Sequence, residues 1–469
     1  MVKYITTNLT ILPVGCFVLL NTDQILSLAP DASSAKAGSQ LAAAAKWDKL
    51  GRSDVAVWGE CKGSGKDPYR TQIDLGEPAF KCSCPSRKFP CKHGLALYLL
   101  LAENNGLFTQ MQAPTWVSDW LHDRQQRADK KRTAATEPPA AQNEEQVAAS
   151  AVSNRKRVEK RENKVAAGMA ALETWLHDLE REGLATVRDR GPAYWEAMAA
   201  RLVDAQAAGL AGRIRRAGKL CFQSGVQDWS AQLARELASI YMLGVAYARL
   251  EQLPPGLQHD VRTSIGWTTS SDEVLALAGV SDCWQVLSQQ HGEEDRIRTR
   301  ATWLRGQRSA RWALLLHFAA GPQGFEQAIS AGTQFEGELC FYPGACPLRA
   351  LIKESGTTLP LAMFPAEQPS FLDAMDSYAD ALAAQPFLER YPLALTGVTA
   401  HMQETGLLLR CPDGNLLPVS ASFRHAWQLL AVSGGAPVTL TGEWDGRAFS
   451  PWSVWADGRL YNFESDFCA

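Results

Sequence analysis

The stretch KCSCPSRKFPCKHG, residues 81–94, concentrates three cysteines and a histidine, which are side chains that bind soft or borderline metal ions. The spacing is C-x-C-x6-C-x-H, with ligand-type residues Cys82, Cys84, Cys91 and His93. Zinc prefers four such ligands in a tetrahedron. A disulfide arrangement would leave one of the three thiols without a partner. The spacing therefore predicts one zinc ion bound by these four residues.

The residues between the ligands must bring them together. If Cys82 and Cys84 end a strand, their side chains share one face while Ser83 faces away. The loop PSRKFP then reverses the chain, and its two prolines reduce the entropy that is lost when the site closes. The apolar run after His93, GLALYLLL, predicts a buried helix whose first N–H groups can donate to sulfur. Four protein ligands leave no position for water, so we predict a structural and not a catalytic zinc.

Basic residues lie in the cluster and in the hairpin that precedes it: Lys66, Arg70, Arg87, Lys88 and Lys92. The positive charge of Arg87, Lys88 and Lys92 offsets the formal negative charge of a Cys3His–Zn(II) centre and favours the thiolate form that the metal requires. The same side chains could instead contact a protein partner or the phosphate groups of a nucleic acid. The sequence leaves these roles open.

The C-x-C-x6-C-x-H pattern between a strand and a helix resembles the SWIM zinc finger, a ββα module. The flanking segments VWGECKGSGKDPYRTQIDL and GLALYLLL resemble the bacterial proteins in particular, and the resemblance covers about Thr22 to Leu101. It implies zinc ligation by the four residues named above. Family members are described as binding DNA or proteins. Bacterial ones are often associated with MoxR-type AAA+ ATPases and von Willebrand A-domain proteins, which the resemblance implies as partners.

Other chemically suggestive residues are isolated in the sequence. The GSGK at residues 63–66 lacks the spacing of a phosphate-binding loop and predicts a hairpin turn. His177 has no second histidine at i+4, and His317 lies in an apolar segment, where a core histidine is expected. Cys340 and Cys346 have no companion pair, so we expect buried or free thiols. We assign no catalytic residue and identify no small-molecule substrate.

Composition limits the class of protein. A chain of 469 residues exceeds what one core usually serves, and 46% of it is apolar. The formal net charge of −3 excludes a polycation that coats DNA, so any nucleic-acid contact must be local. Eleven mostly isolated cysteines suit a reducing cytoplasm. The apolar run at residues 11–20 is too short to span a bilayer and predicts a buried strand or an extended start.

Composition and periodicity divide the chain into four predicted segments, namely a zinc-finger domain with a flanking helix at 22–121, a charged flexible linker at 122–164, an α-helical domain at 165–300 and an α+β domain at 301–469. The linker prediction rests on a stretch with many charges and few large apolar residues. Leu172, Trp175, Leu176 and Leu179 form a helical stripe. In the last segment, Asp-Gly dipeptides at 413, 445 and 457 predict hairpin turns. The predicted fold class is α+β multidomain, with a ββα finger, a helical middle and a strand-rich C-terminal domain.

Three functions compete at this point. We favour a non-enzymatic protein-interaction adaptor, in which the zinc-stabilised finger and the following domains bind another protein. The alternative is a nucleic-acid-binding protein that uses the finger and the basic run NRKRVEKR. A transposase-like enzyme is the weakest hypothesis, because the later carboxylates show no recognisable catalytic set.

Overall fold

A computed structural model describes residues 22–30, 32–63, 67–75, 79–86, 88–136, 144–222, 229–294, 297–320, 329–361, 364, 370–404 and 406–463. The strand predicted at residues 11–20 lies outside these ranges. Helices and strands are mixed as predicted, with strands and the Cys/His cluster first, helices in the middle and strands in the C-terminal part. None of the helices in the described part of the chain is both long and apolar enough to cross a membrane.

The N-terminal part is a five-stranded sheet with helices on both faces. The strands lie in the order β4-β3-β2-β1-β5. Their bounds, with those of the helices, are α1 Thr22–Ser27, α2 Ala32–Leu41, β1 Trp47–Arg52, β2 Ala56–Cys61, β3 Tyr69–Asp74, β4 Ala79–Cys82, α3 Lys92–Glu103, β5 Thr109–Gln110 and α4 Thr115–Thr136. The predicted ββα unit is β3, β4 and α3, and the other strands extend its sheet.

Helix α3 has apolar residues on nearly every side, since the sheet packs against one side of it and helix α2 against another. Its buried residue Leu97 packs in one cluster with Ile73 and Phe80 of the sheet. Helix α2 covers another side and approaches closely at Gly38, where a Cβ atom would lie 2.9 Å from the Cβ of Leu95. Val117 of α4 packs with Trp58 on the opposite face of the sheet. The cysteine-containing loop is thus attached to a three-layered core.

The prediction of a flexible linker over 122–164 is wrong for the described residues. Helix α4 continues to Thr136, and helix α5 spans Glu144–Glu182. The segment does lack the large apolar residues that would form a core. However, Ala, Glu, Gln, Lys and Arg, which dominate it, have high helix propensity, and this property determines the backbone conformation.

The middle of the chain is a helical bundle. It comprises α5 and the helices α6 Gly191–Asp204, α7 Ala208–Phe222, α8 Trp229–Ala248 and α9 Pro255–Ile265, and the short α10 Ser271–Leu275 follows. Leu172 and Leu179 are buried in its core, and Trp175 and Leu176 pack against them, as the helical stripe predicts. Arg161 near the start of the bundle donates to the carbonyl of Gly266 at 2.9 Å. Helix α5 therefore runs from the charged segment directly into the bundle.

The predicted end of the helical domain at residue 300 is wrong. Strands β6, Val280–Glu294, and β7, Ile297–Gly306, already belong to the C-terminal sheets. A β-bulge between Val286 and Ser288 shifts the alternation of apolar residues, and both faces of β6 are buried. The period-two signal of a half-buried strand is consequently lost.

The C-terminal part contains two antiparallel sheets, in the orders β10-β9-β6-β7-β8 and β14-β13-β12-β15-β16-β17, and β11 pairs with β9. The remaining elements are β8 Trp312–Ala320, β9 Thr333–Phe341, β10 Ala350–Ser355, β11 Leu359–Pro360, α11 Phe371–Ala384, β12 Tyr391–Gln403, β13 Gly406–Arg410, β14 Leu416–Pro418, α12 Ala426–Ser433, β15 Val438–Trp444, β16 Phe449–Ala456 and β17 Arg459–Asn462. The three Asp-Gly dipeptides lie between paired strands, as predicted.

Candidate metal centre

Cys82, Cys84, Cys91 and His93 converge where β4 ends and α3 begins. One ligand atom from each lies within 4.8 Å of the others. With Zn–S and Zn–N bonds of about 2.3 and 2.0 Å, a tetrahedral site places its ligand atoms about 3.5–3.8 Å apart. Cys82 Sγ lies 3.8 Å from His93 Nδ1. The donor set and its spacing therefore fit a single zinc ion.

Regular elements position three of the four ligands. Cys82 is the last residue of β4, and Cys91 is the N-cap of α3, with His93 in the first turn of that helix. Cys91 and His93 are buried, whereas Cys82 and Cys84 are half-buried. Three of the four ligands are thus tied directly to the strand or helix that forms the finger, and zinc closes the loop between them.

Strand β3 supplies further contacts to the ligands. Thr71 pairs with Cys82 across the β3–β4 ladder, and its Oγ1 atom lies 3.2 Å from Cys82 Sγ. The ring of Tyr69 packs against His93, with ring centroids 4.9 Å apart. Contacts of this kind orient metal ligands and stabilise the charge on sulfur. Spacing in the sequence does not reveal Thr71 or Tyr69, because only the strand register brings them to the site.

Backbone N–H groups also donate hydrogen bonds to the cysteine sulfur atoms. The N–H of Ser86 hydrogen-bonds to Cys84, and the N–H of Gly94 hydrogen-bonds to Cys91. Gly94 lies in the first turn of α3, so the prediction that the start of this helix donates to sulfur is confirmed. These donors offset negative charge on the sulfur atoms without a side chain.

Without zinc, the four ligand side chains hydrogen-bond to one another. Hydrogen bonds from Cys82 and Cys91 lower the pKa of the Cys84 thiol, whereas those to Cys82 and Cys84 raise the pKa of Cys91. Burial acts to lower the pKa of His93, but its hydrogen bonds to Cys82 and Cys84 outweigh burial and raise that pKa to about 9. Zinc binds thiolates and neutral imidazole, so it competes with these protons for the same lone pairs.

Two of the predicted basic contacts are engaged within the protein. Arg70 Nε lies 3.4 Å from the carboxylate of the buried Glu60, and its guanidinium lies 5.8 Å from the ring centroid of Trp116. Lys88 Nζ donates to Ser33 Oγ at 3.2 Å. Both cations therefore contribute to the packing of the finger domain.

Of the other three predicted basic contacts, the structure describes one. Lys92 is exposed at the start of α3, next to the buried ligands. Lys66 and Arg87 lie outside the described residues. Phe89, which sequence reasoning did not single out, lies in the loop before Cys91 and is 37% exposed. The Phe89 ring meets the ring of Phe80 edge-on, with centroids 6.1 Å apart, and Lys92 lies in the sequence between the ligands Cys91 and His93.

The other candidates lie on other elements of the fold. His177 Nδ1 lies 3.4 Å from Glu180 on α5, and His317 is half-buried in β8. Cys340 is a free buried thiol that donates to the carbonyl of Leu277 at 3.4 Å. Cys346 is free and half-buried. Strands β2 and β3 pair antiparallel around residues 63–66, of which 64–66 lie outside the described ranges. Within those ranges, Cys82, Cys84, Cys91 and His93 form the one group of three or more potential metal ligands.

A closed Cys3His centre between a strand hairpin and a helix defines a zinc-finger protein whose metal is structural. Residues 69–102 match the family model of the SWIM zinc finger, and residues 160–265 match that of the SWIM-associated four-helix bundle domain. The chain therefore contains a SWIM zinc finger and a SWIM-associated four-helix bundle domain. A search of curated proteins and a search of solved structures found no match to it.

Proposed function

We propose that this protein is a non-enzymatic adaptor that binds another protein through its zinc finger. The observation that supports this proposal is the partial exposure of Phe89 in the loop that precedes the ligand Cys91. By contrast, Arg70 and Lys88, two cations suited to phosphate contact, are engaged with Glu60 and Ser33. Aromatic side chains are common anchors in protein interfaces. A MoxR-type AAA+ ATPase or a von Willebrand A-domain protein is the partner that we propose, on the basis of the family resemblance.

The adaptor role requires zinc only as a structural element. Zinc holds Cys91 and the loop that carries Phe89, so loss of the metal should abolish partner binding together with the shape of the loop. A Phe89→Ala variant keeps all four ligands. It therefore separates the binding surface from the metal.

The test is affinity purification of the tagged full-length protein from its host, with and without nuclease, read by mass spectrometry. We expect protein partners that survive nuclease and are lost in both Cys91→Ser and Phe89→Ala, while Phe89→Ala still contains one zinc. Partners that disappear on nuclease treatment would overturn the proposal in favour of nucleic-acid binding. Partners retained by both variants would show that the finger is not the binding element.

A further inference from the structure

The first C-terminal sheet closes into a barrel. Leu314 of β8 forms a parallel bridge with Arg349, which immediately precedes β10. The Leu314 N–H also donates to the carbonyl of Leu348 at 2.7 Å. Strand β9 pairs with both β10 and β6. Around this barrel the strands therefore follow the order β6-β7-β8-β10-β9 and return to β6.

The second sheet closes in the same way. Val419, just after β14, forms a parallel bridge with Phe449 of β16, and the Ser420 N–H donates to the Phe449 carbonyl at 2.9 Å. The order is β12-β13-β14-β16-β15, returning to β12, and α12 lies between the third and fourth strands. In both barrels the order is first, second, third, fifth, fourth strand. This is the order of an OB-type barrel, in which ligands bind on the outer surface of the second and third strands.

In the first barrel this surface is covered by the second barrel. Leu304 of β7 points into the first barrel's core, so Trp303 points outward, and Trp312 does the same on β8. Trp452 of β16 stacks on Trp303, with ring centroids 4.7 Å apart and an interplanar angle of 18°. It also meets Trp312 edge-on at 6.5 Å. Trp303 and Trp452 are both buried, so the ligand surface of the first barrel is occupied from within the chain.

Polar contacts fix the two barrels together. Asn462 Oδ1 accepts from the N–H of Gln289 at 3.0 Å, and Asn462 Nδ2 donates to the carbonyl of the same residue at 2.9 Å. Ser453 Oγ donates to the carbonyl of Leu287, the bulged residue of β6, at 2.7 Å. Buried polar groups satisfied in this way make the interface costly to open. The first barrel is therefore not free to bind a ligand on this face.

The corresponding surface of the second barrel is not covered by another element in the described part of the chain. Its outward side chains form two rows across β12, β13 and β14, which are His401–Leu408–Pro418 and Thr399–Arg410–Leu416. The intervening residues Leu407, Leu409 and Leu417 point into the barrel core. Arg410 is exposed and Leu416 is 57% exposed. We call these six outward residues the second-barrel face.

The chemistry of the second-barrel face favours a polypeptide over a single-stranded nucleic acid. A single strand requires several cations along its backbone and aromatic rings on which its bases stack. This face offers one arginine and an imidazole, and residues 391–463 contain no lysine. Leu408, Leu416 and Pro418 instead provide an apolar surface beside the Arg410 guanidinium. Strand β14 has three residues and ends in Pro418, so it offers little backbone for strand addition.

We propose that the second-barrel face binds an extended polypeptide that places an apolar side chain against Leu408 and Leu416 and a carboxylate against Arg410. The apolar contact excludes water, and the carboxylate pairs with a guanidinium that presents its donors in a planar fork. This inference rests on the proposed adaptor function. It assigns that function a second contact surface, separate in sequence from the finger.

The test selects peptides from a displayed random library on the zinc-loaded full-length protein. We expect enriched peptides that combine apolar and acidic residues, and we expect the synthesised peptides to bind in fluorescence anisotropy. Leu416→Asp should weaken binding at least tenfold, because it places a charge on the apolar part of the face. Arg410→Glu should weaken binding similarly and select lysine-containing peptides in a new round. Trp427→Ala removes a side chain that is 74% exposed on α12, outside the face, and should leave affinity unchanged.

Three outcomes would overturn the proposal. One is the absence of any enriched peptide, and another is equal binding of the enriched peptides to Leu416→Asp and Arg410→Glu. The third is tight binding of an oligothymidine that Arg410→Glu abolishes, which would assign the face to nucleic acid. Zinc-dependent partners that are lost in Cys91→Ser bear on the finger alone. The variants Cys91→Ser and Phe89→Ala therefore test the adaptor role of the finger. The variants Leu416→Asp and Arg410→Glu test peptide binding by the second-barrel face.

Discussion

Thr71 Oγ1 lies 3.2 Å from the Sγ atom of Cys82, directly across the β3–β4 ladder. Because a thiolate has no proton of its own, the hydroxyl is the donor in this pair once zinc is bound. The contact makes a strand that carries no ligand part of the metal centre. It also defines a substitution that leaves all four ligands intact.

Replacing Thr71 with valine should lower zinc affinity by about tenfold to a hundredfold, since it removes a hydrogen bond to a metal ligand while keeping the side chain's shape. Competition with a chromophoric chelator measures this loss. Thr109→Val is the control, because Thr109 is exposed on β5 of the same sheet. Equal affinity of the two variants would show that the hydroxyl does not support Cys82.

Replacing Cys91 with serine should unfold the finger domain. Zinc ligation in small modules contributes on the order of 10 kcal/mol to the folded state, and Cys91 is also the N-cap of α3. Limited proteolysis should cleave the N-terminal segment rapidly, and metal analysis should find less than one zinc per chain. Cys346→Ser changes a thiol outside the cluster and should retain full zinc and native resistance to protease. Native-like resistance of Cys91→Ser would contradict a structural role for the metal.

Zinc binding should release protons, and affinity should rise with pH. The pKa of His93 is raised to about 9 by its hydrogen bonds to Cys82 and Cys84, which outweigh the opposing effect of burial. At pH 7 this imidazole therefore holds a proton that zinc must displace, whereas above pH 9 it does not. Calorimetry in buffers of different ionisation enthalpy counts the released protons. A proton count that is the same at pH 7 and pH 9.5 would contradict the shift at His93.

Replacing Asn462 with aspartate should destabilise the contact between the two barrels. The aspartate keeps an acceptor for the Gln289 N–H but cannot donate to the Gln289 carbonyl, which then faces a negative charge. Loss of a buried hydrogen-bond donor costs about 1–3 kcal/mol of unfolding free energy. Denaturant unfolding measures the change. Asn415→Asp, in an exposed turn, should change stability by less than about 0.5 kcal/mol. A similar effect of both variants would rule out a specific role for Asn462.

The metal ligands could be identified from the sequence because the site is local. All four lie within twelve positions, between a strand that orients Cys82 and a helix that begins after Cys91. Thr71 and Tyr69 could not be identified, since they reach the site through strand register. The Asp-Gly hairpins were equally local and therefore predictable. The closure of the barrels depends on single bridges, such as that of Leu314 with Arg349, between residues far apart in the chain.

Two errors have separate physical origins. At 122–164 the inference from low hydrophobicity to a flexible chain neglects helix propensity. At 280–300 the bulge near Val286 and burial on both faces of β6 remove the alternation that identifies a strand. Tertiary packing decides the second case, and no window of local sequence contains that information.

Helix α5 has a mechanical consequence. It begins at Glu144, whereas Arg161 contacts the carbonyl of Gly266 in the bundle, so 17 residues separate the start of the helix from this contact. At a rise of about 1.5 Å per residue this length corresponds to about 25 Å. The N-terminal end of the helix therefore has a fixed distance and direction relative to the bundle. Each residue inserted between the two would rotate that end by about 100° and move it by about 1.5 Å along the helix axis. Insertions here would change direction as well as reach, unlike insertions into a flexible tether.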